Sequence, residues 1–235
     1  MQRFAKLASS AGGVDRILML VQYSLTLVLP SLVKRTLDPK ALVTGQALTT
    51  AQLLLSAKRL RDLCSDYRIF ARLVGYPAIH SWGIGVYNKP ASARTGPIPS
   101  WIEDIQVLVN LAYQPMENAA YLSQHGILPL SKQTENKLWT WSCRMWAAHV
   151  FLDLYKLMLE RQSTPSLQSS ARIKTKEQQQ ARVHWLREVI INLAYAPLTL
   201  HWSAYQGIGL SERQVGALGL VAAVGQISKA WELTK

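Results

Sequence analysis

Residues 51–74 read AQLLLSAKRLRDLCSDYRIFARLV, and the spacing of their apolar positions decides the fold class. At about 100° per helical residue, Leu53, Ala57, Leu60, Leu63, Cys64, Tyr67, Phe70, Ala71 and Val74 gather into one stripe roughly 140° wide. Lys58, Arg61, Arg68 and Arg72 fall on one shoulder of that stripe, Arg59 near the other, and Asp62 and Asp66 on the far side. An interfacial helix needs this arrangement: the stripe enters the acyl boundary while cations on its edge reach lipid phosphates. The expected membrane-binding residues are therefore Leu53, Lys58, Leu60, Arg61, Leu63, Tyr67, Arg68, Phe70 and Arg72. The same pattern also fits a helix that buries its stripe in a bundle or pairs with the helix before it.

Outward from this stretch the chain reads as helix almost throughout, with little strand-like alternation. Helices are expected over 14–36, 47–74, 100–124, 131–161 and 181–206, and from Ser211 to about Trp231. Ser100 followed by Glu103 has the form of a capping box. Gly75, Pro77, Gly83, Gly85, Pro90, Gly96, Pro97 and Pro99 make 75–99 an expected loop, and the Ser, Gln and Lys of 162–180 an expected basic linker. Asn110-Leu111-Ala112-Tyr113-Gln114-Pro115 is echoed by Asn192-Leu193-Ala194-Tyr195-Ala196-Pro197, each followed by a glycine turn and a second apolar helix. The expected fold is an all-α, membrane-associated bundle of about six helices, with a duplicated helical hairpin in the carboxyl-terminal half. Its expected domains are 1–99, an amino-terminal helical pair with the loop, and 100–235, the embedded hairpins joined by the linker.

Composition points the same way. The 235 residues carry 26 Lys plus Arg against 14 Asp plus Glu, a net charge of +12, yet charged residues are only 17% of the chain, below the roughly 25% usual in soluble domains. Hydrophobic residues make up 49%, and eight Trp and nine Tyr suit an interfacial belt. Such a chain is too apolar for disorder, and two cysteines build no disulfide framework. The run 17–33 is uncharged and lacks a following cleavage site, so it reads as a retained segment. The uncharged windows 189–211 and 214–228 are candidates for a spanning hairpin, with the basic linker on the cytosolic side. Gly216, Gly219 and Gly225 give the last helix a small face for close helix packing and self-association.

The inventory for catalysis is thin. His80, His125, His149, His184 and His201 are scattered, with no metal-ligand spacing. Neither a phosphate-binding Gly-Lys-Ser/Thr loop nor a nucleophile elbow is present. No catalytic residue, metal or cofactor is expected, and no nucleic-acid recognition module accompanies the basic charge. Glu117, Arg144 and Asp153, polar on otherwise apolar helices, would line the alternative, a pore or carrier for small metabolites. A soluble helical adaptor is a third class.

Several stretches together resemble the peroxin-11 family of peroxisomal membrane proteins, closest to its gamma-type branch. Gly13-Val14-Asp15-Arg16, with Gln22-Tyr23, is similar to the family's opening motif; the stretch 51–74 occupies the place of its amphipathic helix. Asn110-Leu111-Ala112-Tyr113, with Glu117-Asn118, Tyr121 and Gly126, resembles its central segment. The stretches 141–159 and 192–231, with Gly216 and Gly219, resemble its hydrophobic carboxyl-terminal region; the loop 75–99 and the linker do not match. The resemblance implies a non-enzymatic protein of the peroxisomal membrane that elongates it before fission and so controls peroxisome number and size. It implies as partners an anionic phospholipid membrane, a second copy or family paralogue, and the fission machinery, a dynamin-like GTPase and its adaptor. For some members it also implies a metabolite pore.

Overall fold

The computed structural model describes residues 1–38, 46–90, 94, 96–168 and 175–234. Among them the chain forms α1 (Gln2–Ala8), α2 (Ala11–Thr36), α3 (Gln46–Arg72), α4 (Tyr76–Tyr87), α5 (Trp101–Gln124), α6 (Lys132–Ser163), α7 (Pro165–Gln168), α8 (Lys176–Trp202) and α9 (Glu212–Glu232). The protein is all-α, and the six long helices lie where the periodicity places them. Of the expected linker, 169–174 lie outside the described residues.

Two compact units divide the chain, one of residues 1–70 and 209–235, the other of 71–208. The expected boundary after residue 99 is thus replaced, because the last helix packs on α2 in the first unit. Serine and threonine hydroxyls cap the starts of α2, α6, α8 and α9. Ser10 accepts from the Gly13 amide at the head of α2, and reciprocal capping boxes, Thr175 with Gln178 and Ser211 with Gln214, start α8 and α9.

In the first unit α2 and α9 run antiparallel. Arg213 reaches the Ser31 hydroxyl at one end, and Arg3 of α1 reaches the Trp231 carbonyl at the other and lies over the Trp231 ring. The contact depends on small residues: Gly216, Gly219, Ala222, Ala223 and Ala230 are buried on α9, facing the buried Met19, Tyr23 and Thr26 of α2. A Cβ at Gly216 would stand 2.5 Å from the Leu27 amide nitrogen, and one at Gly219 would overlap the Tyr23 ring. The small face expected to join two copies is therefore filled by α2 of the same chain; Gly225 lies half-buried farther along α9.

In the second unit α5 pairs with α6, α6 with α8, and α4 with α5. The α5–α6 seam is polar at helical spacing. Glu103 meets Lys89 and Lys156, Gln106 donates to Asp153 at 2.7 Å, and Asn110 meets His149 at 2.9 Å. Trp146 of α6 stacks on Trp202 of α8. Within each unit the arms of the second hairpin copy have other partners: α8 packs on α6, and α9 on α2.

Three expectations need correction. The stretch 75–99, read as a loop, contains α4. Pro77 sits in its first turn, where a missing N–H costs nothing, and Gly83 lets Val107 of α5 approach to within 2.9 Å of where a Cβ would be. Ser100 precedes α5 as expected, but it has helical backbone angles and its side chain makes no cap bond; Glu103 is held by the two lysines instead. The window 189–211 is not one helix. It stops at Trp202, and Gly207 and Gly209 turn with positive φ, so its helical part covers about 21 Å against a hydrocarbon core of about 30 Å. Among the described residues one helix, α2, is long and apolar enough to cross a membrane.

Candidate functional site

The sequence requires α3 to be a helix: between Gln46 and Arg72 it contains no Gly or Pro, and Leu, Ala, Arg and Lys favour helix. What the sequence leaves open is which side of it is covered. In an ordinary bundle the apolar stripe would be. Here Leu53, Leu60, Leu63, Tyr67 and Phe70 are exposed, Leu63 at 65% and Phe70 at 59%. Only Cys64, at the stripe's arginine-side edge, is buried, and that burial pushes its thiol pKa up against the pull of Arg68. No other helix runs along α3 at close backbone distance among the described residues.

The arginine shoulder faces inward. Within the first unit, the Arg68 Nε donates to Asp15 Oδ1 at 2.9 Å and its Nη1 to Gln22 Oε1 at 2.7 Å. Arg61 pairs with Asp62 at 2.7 Å and reaches Glu212 of α9 at 3.5 Å. These two arginines, expected at the lipid edge, hold carboxylates of their own chain, because a guanidinium fork finds acidic partners within reach there. Lys58 and Arg59 are the exposed cations beside the stripe.

Within the second unit the last turn of α3 is held equally firmly. Arg72 donates through Nε and Nη2 to both carboxylate oxygens of Glu117, at 2.7 and 2.9 Å, and the Tyr113 hydroxyl donates to the same carboxylate at 2.7 Å. The Glu117 side chain is 7% exposed. The Gln114 amide donates to the Arg72 carbonyl at 2.7 Å and the Asn118 amide to the Leu73 carbonyl at 3.3 Å, satisfying acceptors that a helix end leaves open. Glu117→Leu should therefore lower stability by about 2–3 kcal/mol, since it strands the Arg72 guanidinium and the Tyr113 hydroxyl. A thermal melt of the full chain in detergent checks this, and an unchanged midpoint would refute it.

The three residues considered for a pore lining are engaged inside the second unit. Glu117 is bound as above, Asp153 accepts from Gln106, and Arg144 donates to the Ser203 carbonyl at 3.1 Å and lies over the Trp141 ring. Among the described residues no group of His, Cys, Asp and Glu is arranged to hold a metal ion. Sequence reasoning missed Asp15, Tyr113, Gln114 and Asn118 as partners of α3. A usable signal existed for the first: Asp15 and Gln22 are two turns apart on one face of an otherwise apolar helix.

The family model described as Peroxisomal biogenesis factor 11 (PEX11) matches residues 1–231. Among curated proteins, the chain is similar to the uncharacterized protein C1F12.04c of Schizosaccharomyces pombe, with 34% identity over 174 residues, 74% of this chain and 76% of that one. No solved structure matches.

Proposed function

Because the chain belongs to the peroxisomal biogenesis factor 11 family, we propose that it sits on the peroxisomal membrane and elongates it before fission, α3 acting as a shallow wedge. The observation that carries this reading is the roll of α3: an apolar stripe turned outward while arginines of the same helix are engaged inside the protein. An exposed apolar face of this kind needs a covering medium, and lipid covers it without a specific partner. Wedging into the cytosolic leaflet expands that leaflet relative to the other and favours curvature. The α2 helix, long and apolar enough to cross, supplies an anchor.

Magnitudes rank the contributions. Five half-exposed stripe residues gain about 1 kcal/mol each on entering the acyl boundary, a fraction of the value for full burial. Lys58 and Arg59 add about 1 kcal/mol each at an anionic surface, screened by salt. The apolar term leads, and charge selects the surface. A second copy, a paralogue and the fission machinery are proposed partners through the family. Among the described residues no arrangement favours the metabolite pore over the wedge.

Purified full-length protein added to anionic vesicles should bind and draw out tubules, with binding weakened as salt rises. Equal binding to neutral and anionic vesicles at all salt concentrations would remove the role given to the exposed cations. Vesicles that bind protein and stay spherical would remove the wedge.

A further inference from the structure

We infer that Asp15, together with Gln22, is the positioning residue that sets the roll of α3 and so presents its apolar stripe to lipid; this rests on the membrane reading above. Asp15 and Gln22 project from one face of α2 and converge on a single guanidinium, that of Arg68, through two different nitrogens at 2.9 and 2.7 Å. Two bonds to one planar fork fix its direction as well as its distance. Arg61 lies on nearly the same side of α3, about 20° from Arg68 on the helical wheel, and its contact with Glu212 acts in the same sense.

The stripe residues lie round the helix from these arginines. Leu60, Tyr67 and Leu63 are displaced by about 80–160° from Arg68 and Arg61, and all three are exposed while the Arg68 side chain is 13% exposed. Drawing the arginines in therefore turns the stripe out. Apolar packing does not impose this orientation, because it would favour the opposite roll and, among the described residues, no helix lies close along α3. Polar contacts are what oppose the inward roll, and the Arg68 pair is the least exposed of them on the first-unit stretch of α3. Asp15 touches no lipid in this account; it acts through Arg68.

The test uses the full chain with Cys64→Ser and Cys143→Ser, carrying one cysteine at Leu63 or at Ser65 labelled with an environment-sensitive nitrobenzoxadiazole dye. With Asp15 intact, the label at position 63 should blue-shift on anionic vesicles and the label at 65 should not. Asp15→Asn, nearly isosteric, should shrink that difference between the two positions. Asp15→Arg should also weaken vesicle binding roughly tenfold, the equivalent of one charge-assisted bond. The exchange of Asp15→Arg with Arg68→Asp should restore both readouts, as should Asp15→Glu for the label. A role confined to stability would lower the melting midpoint without changing which position enters lipid. If Asp15→Asn and Asp15→Arg leave the labels and the affinity unchanged while the parent inserts at 63, the positioning inference is overturned and the membrane reading stands. If the parent label at 63 stays aqueous on bound vesicles, both are overturned.

Discussion

Full-length protein carrying Leu60→Asp is expected to bind anionic vesicles about two orders of magnitude more weakly and to form no tubules. Leu60 lies at the centre of the exposed stripe, between Leu53 and Tyr67 on the wheel. The substitution removes about 1 kcal/mol of apolar transfer and places a carboxylate at the acyl boundary at a further cost of about 2 kcal/mol. Near 1.4 kcal/mol per decade, that is roughly a hundredfold. Because Leu60 is exposed, the change should leave the melting midpoint close to that of the parent, which separates loss of binding from loss of fold. Flotation with vesicles and electron microscopy read the two outcomes. Tubules formed undiminished by the variant would mean that α3 is not the wedge.

The second large effect is expected at the α2–α9 contact. Gly216→Leu should destabilise the first unit by about 3 kcal/mol or more, at the upper end for overpacking, because the added Cβ meets the Leu27 backbone rather than a movable side chain. Gly219→Leu meets the Tyr23 ring, and Gly219→Ala should be the milder of the two alanine variants, since a ring shifts more readily than backbone. Circular dichroism melts in detergent should show the loss. If both leucine variants melt like the parent and change only the oligomer size, the small face joins two copies, and the packing on α2 described here does not hold in solution.

The sequence carries the elements well and their partners poorly. Helix starts were legible where a side chain caps them, as at Ser211, and a helix end where glycine takes positive φ directly after the cap, as at Gly126. The helix α4 was hidden because Gly83 and Gly85 cost about 1 kcal/mol each in a helix, a penalty that only its packing on α5 offsets. The echo between 110–115 and 192–197 suggested two similar hairpins, but a repeat in local pattern does not fix long-range partners. Small residues on α9 advertise close approach without saying to what, and the answer, Tyr23 and Thr26, lies nearly the whole chain away.

The roll of α3 was the least legible feature of the candidate site. Its periodicity identifies an apolar side and a basic side, and in water either could be covered. The decision comes from residues outside 51–74. Asp15 and Gln22 interrupt an apolar helix on one face, and Glu117 is buried between Tyr113 and Arg72. Each is a polar group on an apolar surface, which is tolerated where a charged partner satisfies it. Read together with the arginines, they mark the covered side. The opening and central motifs that suggested the family contain these same residues: Asp15 and Gln22 belong to one, and Tyr113, Glu117 and Asn118 to the other.

The central claim is that the exposed side of α3 enters lipid. A depth profile tests it most directly: spin labels placed one at a time from 58 to 70 in the full-length protein, bound to anionic vesicles, with oxygen and nickel accessibility measured by power saturation. Insertion of the stripe predicts a helical oscillation, with oxygen-rich maxima at 60, 63, 67 and 70 and nickel-rich values at 58, 62 and 65. A flat, water-accessible profile across those positions on membrane-bound protein would contradict it.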